Sequence, residues 1–419
     1  MGAVGRGGSR AAALLALLLC AGCYTTVDSL GYDTPGATGI KHLSGPATYP
    51  NAFRDVLGKS DAEIADRIGA AFAQLFHGDP TSQAIYVVPA ATPDQAYIAD
   101  TYHGDIRTEG VGLGMMIAVQ LDKRDEFDHL WRYAKSQMQV PGGAAKGYFN
   151  SRCDLAVPSV ACLDPYGMEE FLMALLLAND RWAAGPQTLD YASDASTLVT
   201  VMRHKQDQNG GIVDDVTNVF DAKTGLPFDL PNTESVDTGR PSVVTPGYYE
   251  LWAQATGDPF WKNAATSARA YWTASAHPTT GLLPTRSHFD GTPIPPWDVY
   301  AYEGYRAQIN MTIDAIWFGT EPWIIGESDK LMQFFAGKGV DMYCRSYSLD
   351  GTMCLDTAVR EPSLVAVNGV TASIATAPVR ATFIQAVWNL PIPIGPTRYY
   401  GGILELISLL ILGGQYRVY

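Results

Sequence analysis

The strongest constraint on the fold is a helical apolar period that recurs through most of the chain. Ser60-Asp61-Ala62-Glu63 fits a capping box, in which a hydroxyl and a carboxylate each cover a free backbone N–H at a helix start. It opens a stretch where Ile64, Ile68, Ala71, Phe72 and Leu75 share one helical face. Comparable patterns recur at about 110–122, 126–138, 167–182, 194–206, 246–256, 260–276, 305–318, 327–336, 364–374, 379–388 and 400–412. That spacing predicts roughly twelve helices. Pro, Gly, Asp and Asn collect between them, at 157–164, 223–246, 278–296 and 391–396. No repeat of fixed period occurs, and no linker interrupts the pattern after residue 50. The expectation is one all-α domain over 51–419, built from helical hairpins.

Composition excludes several classes. With 47% apolar and 17% charged residues the chain is too hydrophobic to be disordered. A net charge of −14 argues against nucleic acid as a partner, since phosphate contacts need clustered Lys and Arg. An acidic surface favours neutral partners over polyanions.

The first residues read as an address. Arg6 and Arg10 precede an apolar run at 11–21, too short for a bilayer, which needs about 20 residues. Residues 1–22 therefore read as an export signal. The run ends Cys20-Ala21-Gly22-Cys23, which resembles a bacterial lipobox in which Cys23 becomes the lipid-modified first residue. Cys20 stands where Leu is typical, so ordinary cleavage after Gly22 is the alternative. Residues 23–50, rich in Gly, Thr and Pro, read as a tether and N-terminal segment. The expected location is the extracytoplasmic side of a bacterial membrane, with secretion or a periplasmic location as the alternative. A second apolar stretch, 403–412, carries Glu405 and reads as a buried helix.

Four cysteines lie outside the signal, in two local pairs: Cys153 with Cys162, and Cys344 with Cys354. In an exported chain such pairs suggest loop-closing disulfides, although other pairings and free thiols are open. Without a CxxC outside the signal, an HExxH or a His cluster, no metal is expected, and without a P-loop or GxGxxG no cofactor is expected. Asp214, Asp215, Asn218 and Asp221 do not follow a calcium-loop spacing and read as a solvated turn.

Two segments could carry chemistry. Asp105-Ile106-Arg107-Thr108-Glu109-Gly110 leads into a helix with Gly110 and Gly114 on one face, suited to close packing. Glu109 sits at its start, where the helix dipole favours a carboxylate. Tyr300-Ala301-Tyr302-Glu303-Gly304-Tyr305-Arg306 places a second carboxylate at a helix start among aromatic rings. Arg306 follows on the next turn, where a cation keeps a carboxylate in the ionised state that a base needs. Two carboxylates in an aromatic setting are what hydrolysis of a glycosidic bond requires. Nine Trp and 22 Tyr offer rings for sugar faces, although most aromatic residues fill cores.

Many separate stretches resemble glycoside hydrolase family 8, most closely its branch of reducing-end xylose-releasing exo-oligoxylanases. They include 62–79, 105–131, Gly147-Tyr148-Phe149, 218–221, 248–253, 276–281 and 302–317. Others are 364–368, 388–393, 398–400 and the final stretch to Tyr419, all in family order. The resemblance implies an (α/α)6 barrel of about twelve helices, consistent with the helical count. It implies inversion, with an acid and a base about 6.5–9.5 Å apart to admit a water. Glu109 takes the general-acid position in Arg-Thr-Glu-Gly, and Glu303 the candidate base, with Arg306 orienting it. The expected substrate is a β-1,4-linked oligosaccharide, foremost a xylo-oligosaccharide, in a groove lined by Tyr148, Trp297, Tyr302 and Tyr305.

Four departures from the family pattern fall around the implied sugar site. Glu303 stands in place of Asp, adding a methylene. Tyr166, in Pro165-Tyr166-Gly167-Met168-Glu169, stands where the family has a sugar-binding Asp. Val243 and Val244 replace a polar Tyr-His-like pair, and Asn150 and Ser151 follow Phe149 where a Trp is usual. These changes leave a second reading open: a surface lipoprotein that binds glycans without cutting them.

Overall fold

Six helices are buried on nearly every side and six others on one side only, and that division organises the molecule. The computed structural model describes residues 39–152, 160–182, 189–319, 322–359 and 361–419. Among them are the short helix α1 (Ala52–Leu57) and twelve longer ones, α2 (Asp61–His77), α3 (Thr108–Gln120), α4 (Arg124–Tyr133), α5 (Pro165–Trp182), α6 (Tyr191–Asn209) and α7 (Pro246–Thr256). The rest are α8 (Phe260–Ser275), α9 (Tyr302–Phe318), α10 (Pro322–Lys338), α11 (Pro362–Ile374), α12 (Arg380–Trp388) and α13 (Arg398–Leu412).

The odd-numbered helices from α3 to α13 pack in succession, and α13 returns to α3, closing a ring of six. Every residue of α3 is buried, and so is nearly all of α13. Such helices are stable only when covered all round. The cover is a second ring: α4, α6 and α8 pack on α3, α5 and α7, while α10, α12 and α2 complete the circle. These outer helices keep an apolar stripe, as in α2, where Ile64, Ile68, Ala71, Phe72 and Leu75 are buried. The result is an (α/α)6 barrel, and the apolar stretch 403–412 is the interior of α13. Among the described residues no helix is long and apolar enough to cross a membrane.

Local signals act as read. Ser60 and Glu63 form the expected capping box. The two glycines of α3 admit close neighbours: a Cβ on Gly110 would meet the Tyr399 ring at 2.7 Å, and one on Gly114 would meet Ile98 at 2.7 Å. Gly167 brings α5 against the start of α3, where a Cβ would lie 2.7 Å from the backbone carbon of Thr108. The patterned stretch 126–138 is not one regular helix, because α4 passes into a π-helical turn at Ala134–Met138.

Short strands, unexpected from the sequence, occupy the loops. Tyr86–Val87, Tyr97–Asp100 and Asp105–Ile106 pair just before α3, and Thr238–Gly239 pairs with Ser287–His288. Val299–Tyr300 pairs with Cys344–Ser348, which pairs with Cys354–Val359. Most of these strands have two residues, which leave no alternation to read. The expected Cys344–Cys354 disulfide closes the last hairpin, with Cα atoms 5.9 Å apart. Cys162 is disulfide-bonded as well, and its expected partner Cys153 lies outside the described residues.

The expected signal and Cys23 also lie outside the described residues. Part of the segment expected as a tether, residues 39–50, packs on the barrel. Leu43 N–H donates to Asp180 at 2.6 Å and Lys41 N–H to the Ala255 carbonyl at 2.9 Å, so residues 39–50 belong to the barrel unit. Beyond α13 the chain is clamped to α3: Gln120 donates to the Arg417 carbonyl at 2.8 Å and accepts from its N–H at 2.9 Å.

Candidate active site

The inner helices α3, α5 and α9 all begin at one pocket of about 170 Å³. Their N-terminal ends contribute a positive field there. Glu109 and Glu303, each the second residue of its helix, both line this pocket, so the barrel unites the two carboxylates singled out from sequence. Asp164, Asp229, Arg107, Arg152, Arg240, Arg286 and Arg306 supply most of the remaining wall.

Glu109 is 9% exposed, and its Oε1 accepts a hydrogen bond from Arg306 Nη1. Arg306 is 4% exposed and lies 4.4 Å over the ring of Tyr166. The expected pairing of Arg306 with Glu303 is therefore corrected. Arg306 sits one turn deeper in α9 than Glu303, where the carboxylate within reach comes from α3 across the barrel.

Glu303 stays at the rim, its side chain 39% exposed, with Oε2 3.5 Å from Arg240 Nη1. Arg240, in the loop before α7, joins three carboxylates. Its Nε lies 2.6 Å from Asp229 Oδ1, a close ion contact outside hydrogen-bond alignment, and Nη2 lies 3.4 Å from Asp164 Oδ1. Asp229 is shared with Arg286 at 2.9 Å. Burial works against the charge of Arg240, but Glu303, Asp229 and Asp164 outweigh it and hold its pKa above the ordinary guanidinium value.

The other predicted site residues divide. Tyr166 is not at the pocket surface. It is 3% exposed, packed beneath Arg306 and hydrogen-bonded to Glu170, because the first turn of α5 faces the barrel interior. Asp164, two residues earlier, puts a carboxylate on the pocket wall. Tyr148 and Tyr305 are also corrected: both are fully buried, with hydroxyls donating to the Thr217 and Arg345 carbonyls. Rings enclosed on both faces are core, with no face left for a sugar. Trp297 and Tyr302 are 43% and 40% exposed. Each is backed by a guanidinium, Arg286 at 4.3 Å and Arg345 at 4.9 Å. Val243 and Val244 are buried, while Ser151 lines the pocket.

Sequence reasoning missed Asp164, Asp229, Arg240, Arg286 and Arg152. The signal available was charge within the Pro- and Gly-rich loops of a chain with few charges, since binding groups gather on loops held by a rigid scaffold.

Beneath the pocket lies a layer of buried carboxyls. Glu169 accepts from Thr245 at 2.6 Å and Tyr249 at 3.1 Å, and burial raises its pKa well above the ordinary value. Burial pushes Glu170 up to about 7, against the hydroxyls of Tyr166 and Tyr248. On α13, burial likewise pushes Glu405 up to about 7, although Arg67 pairs with it at 2.5 Å. Folding holds these two protons, which the unfolded chain releases near 4.5. Their stabilisation is therefore complete below that pH and is lost as pH rises through about 7. Each contributes on the order of 3 kcal/mol at the acidic end. Thermal midpoints measured across this window should fall with rising pH, and less steeply in Glu170→Gln and Glu405→Gln. Parallel slopes in wild type and variants would contradict the assignment.

The sequence profile of glycosyl hydrolases family 8 matches residues 97–414. The reducing-end xylose-releasing exo-oligoxylanase Rex8A of Paenibacillus barcinonensis is 34% identical over 384 residues, covering 89% of this chain and 97% of that protein. The solved structure of Rex8A complexed with xylose matches with a TM-score of 0.81, covering 89% of this chain and 98% of that one. A GH8 xylobiose complex from Teredinibacter turnerae matches with a TM-score of 0.82 at 33% identity, covering 88% and 98%. Agreement of sequence and architecture over nearly the whole barrel makes the protein a glycoside hydrolase, and the chain belongs to glycoside hydrolase family 8.

Proposed function

We propose that the protein hydrolyses β-1,4-linked xylo-oligosaccharides with inversion of configuration. Glu109 protonates the leaving oxygen and Glu303 activates the attacking water. The observation that carries this reading is the meeting of two carboxylates, from the starts of α3 and α9, in one pocket. Arg306 donates to Oε1 of Glu109 and so fixes the side chain against the start of α9. Glu303 is more exposed and is contacted by Arg240 through Oε2, which leaves Oε1 to accept from water. An acid that is enclosed and a base open to solvent suit the division of labour in an inverting reaction. Xylose units as substrate are supported by the likeness to Rex8A, described as a reducing-end xylose-releasing exo-oligoxylanase. The exposed rings of Trp297 and Tyr302 suit the C–H faces of sugars.

The test is incubation with xylohexaose, cello-oligosaccharides and chitosan oligomers, following products and their anomeric form by NMR. Xylose or shorter xylo-oligosaccharides, with the α-anomer appearing first, are expected. A β-anomer first would overturn inversion, and products only from another oligosaccharide would overturn the substrate. Binding without any product would favour the glycan-binding reading.

Export belongs to the same proposal. Residues 1–22 act as the signal, and Cys23 as the lipid-modified residue that holds the barrel on the extracytoplasmic side of a membrane.

A further inference from the structure

The pocket holds more positive charge than cleavage of a neutral sugar uses. Its carboxylates are already engaged: Glu109 by Arg306, and Glu303, Asp164 and Asp229 by Arg240. Arg107 is directed to Asp100 and Asp105, both at 2.9 Å. Arg286 touches Asp229, which Arg240 also holds. Arg152 also lines the pocket, is exposed, and has no carboxylate partner among the described residues.

Arg152 is also fixed in place. Its backbone N–H donates to the Ile106 carbonyl at 3.2 Å, and that of Ser151 donates to the Cys162 carbonyl at 2.7 Å. Its φ is 67°, in the left-handed region that non-glycine residues rarely adopt. The chain thus carries a guanidinium to the pocket wall at some conformational cost and leaves it without a carboxylate among the described residues.

From this we propose that the pocket takes acidic xylo-oligosaccharides, with Arg152 receiving the carboxylate of a uronosyl substituent. A guanidinium fork matches a carboxylate in two parallel hydrogen bonds, a pairing no sugar hydroxyl reproduces. In a chain of net charge −14, an anionic sugar is disfavoured by the general field, so a local unpaired cation sets the specificity. The inference rests on the reading of this pocket as the hydrolytic site.

The test compares a xylo-oligosaccharide bearing one glucuronosyl branch with the same compound after its carboxyl is reduced to an alcohol. Size and linkage are then equal, and only the charge differs. Wild-type full-chain protein should show kcat/KM at least about tenfold higher for the acidic form, by a charge-assisted hydrogen bond. Added salt should shrink this ratio, and Arg152→Gln should bring it to near unity. Equal rates on the two compounds, or an acidic preference untouched by Arg152→Gln, would overturn the proposal. Should neither compound be cleaved, calorimetric binding of the same pair decides. Tighter binding of the acidic form, lost in Arg152→Gln, sustains the acidic site while the hydrolytic reading fails. Equal or absent binding overturns the acidic site as well.

Discussion

Glu109→Gln should lower kcat on xylo-oligosaccharides by about 10²–10⁴-fold, the range that general acid catalysis supplies. KM should change little, because the amide keeps the shape of the side chain. The Gln carbonyl can still accept from Arg306, so the thermal midpoint should stay near that of the wild type. Glu109→Ala should behave differently. It leaves the guanidinium of Arg306, 4% exposed, without its carboxylate, at a cost of about 3–5 kcal/mol. The two variants therefore separate chemistry from folding. An aryl xyloside with an acidic phenol adds a second control, because its leaving group needs no proton. On that substrate Glu109→Gln should recover much of its rate. An equal loss on natural and activated substrates would remove Glu109 from the role of acid.

Arg240→Met should destabilise the fold by about 3–5 kcal/mol, measured as a shift in the denaturant midpoint. Its removal leaves Asp229, whose side chain is 8% exposed, with Arg286 alone among the described residues, and takes from Glu303 the one cation that pairs with it among them. Turnover should fall with stability, since a carboxylate displaced by an Ångström orients water poorly. Arg240→Lys keeps the charge, but one ammonium cannot span Asp164, Asp229 and Glu303 together. It should therefore retain more stability than Arg240→Met while still losing kcat. If Arg240→Met unfolds at the wild-type midpoint, the ion network is not what holds these loops.

These residues also show where sequence reading reaches its limit. The helices were legible because burial repeats every three to four residues, as in Ile64, Ile68, Phe72 and Leu75. Glu109 and Glu303 were legible because a carboxylate at a helix start is a local signal, and because their surroundings resemble family motifs. The partner of Arg306 was misassigned by the same local logic. It stands three positions after Glu303 along α9, but the barrel sets it against Glu109 on α3. Tyr148 and Tyr305 were misread since a ring in a core and a ring beside a sugar have the same letter. Asp164, Asp229 and Arg240 stand in three separate loop positions, and only the folded chain makes them one cluster.

The return of α13 to α3 has a consequence for the life of the molecule before it is an enzyme. Of the twelve barrel helices, α13 comes latest in chain order, and it fills the gap between α11 and α3. Until it emerges from the ribosome, the nascent chain is an open arc. The notch at Gly110 then lacks Tyr399, and Gln120 lacks Arg417. Contacts between Gln120 and Arg417, 297 positions apart, cannot form early. An arc with two apolar edges invites association with other chains and with chaperones. The helix that carries Glu109 is thus synthesised early and completed late.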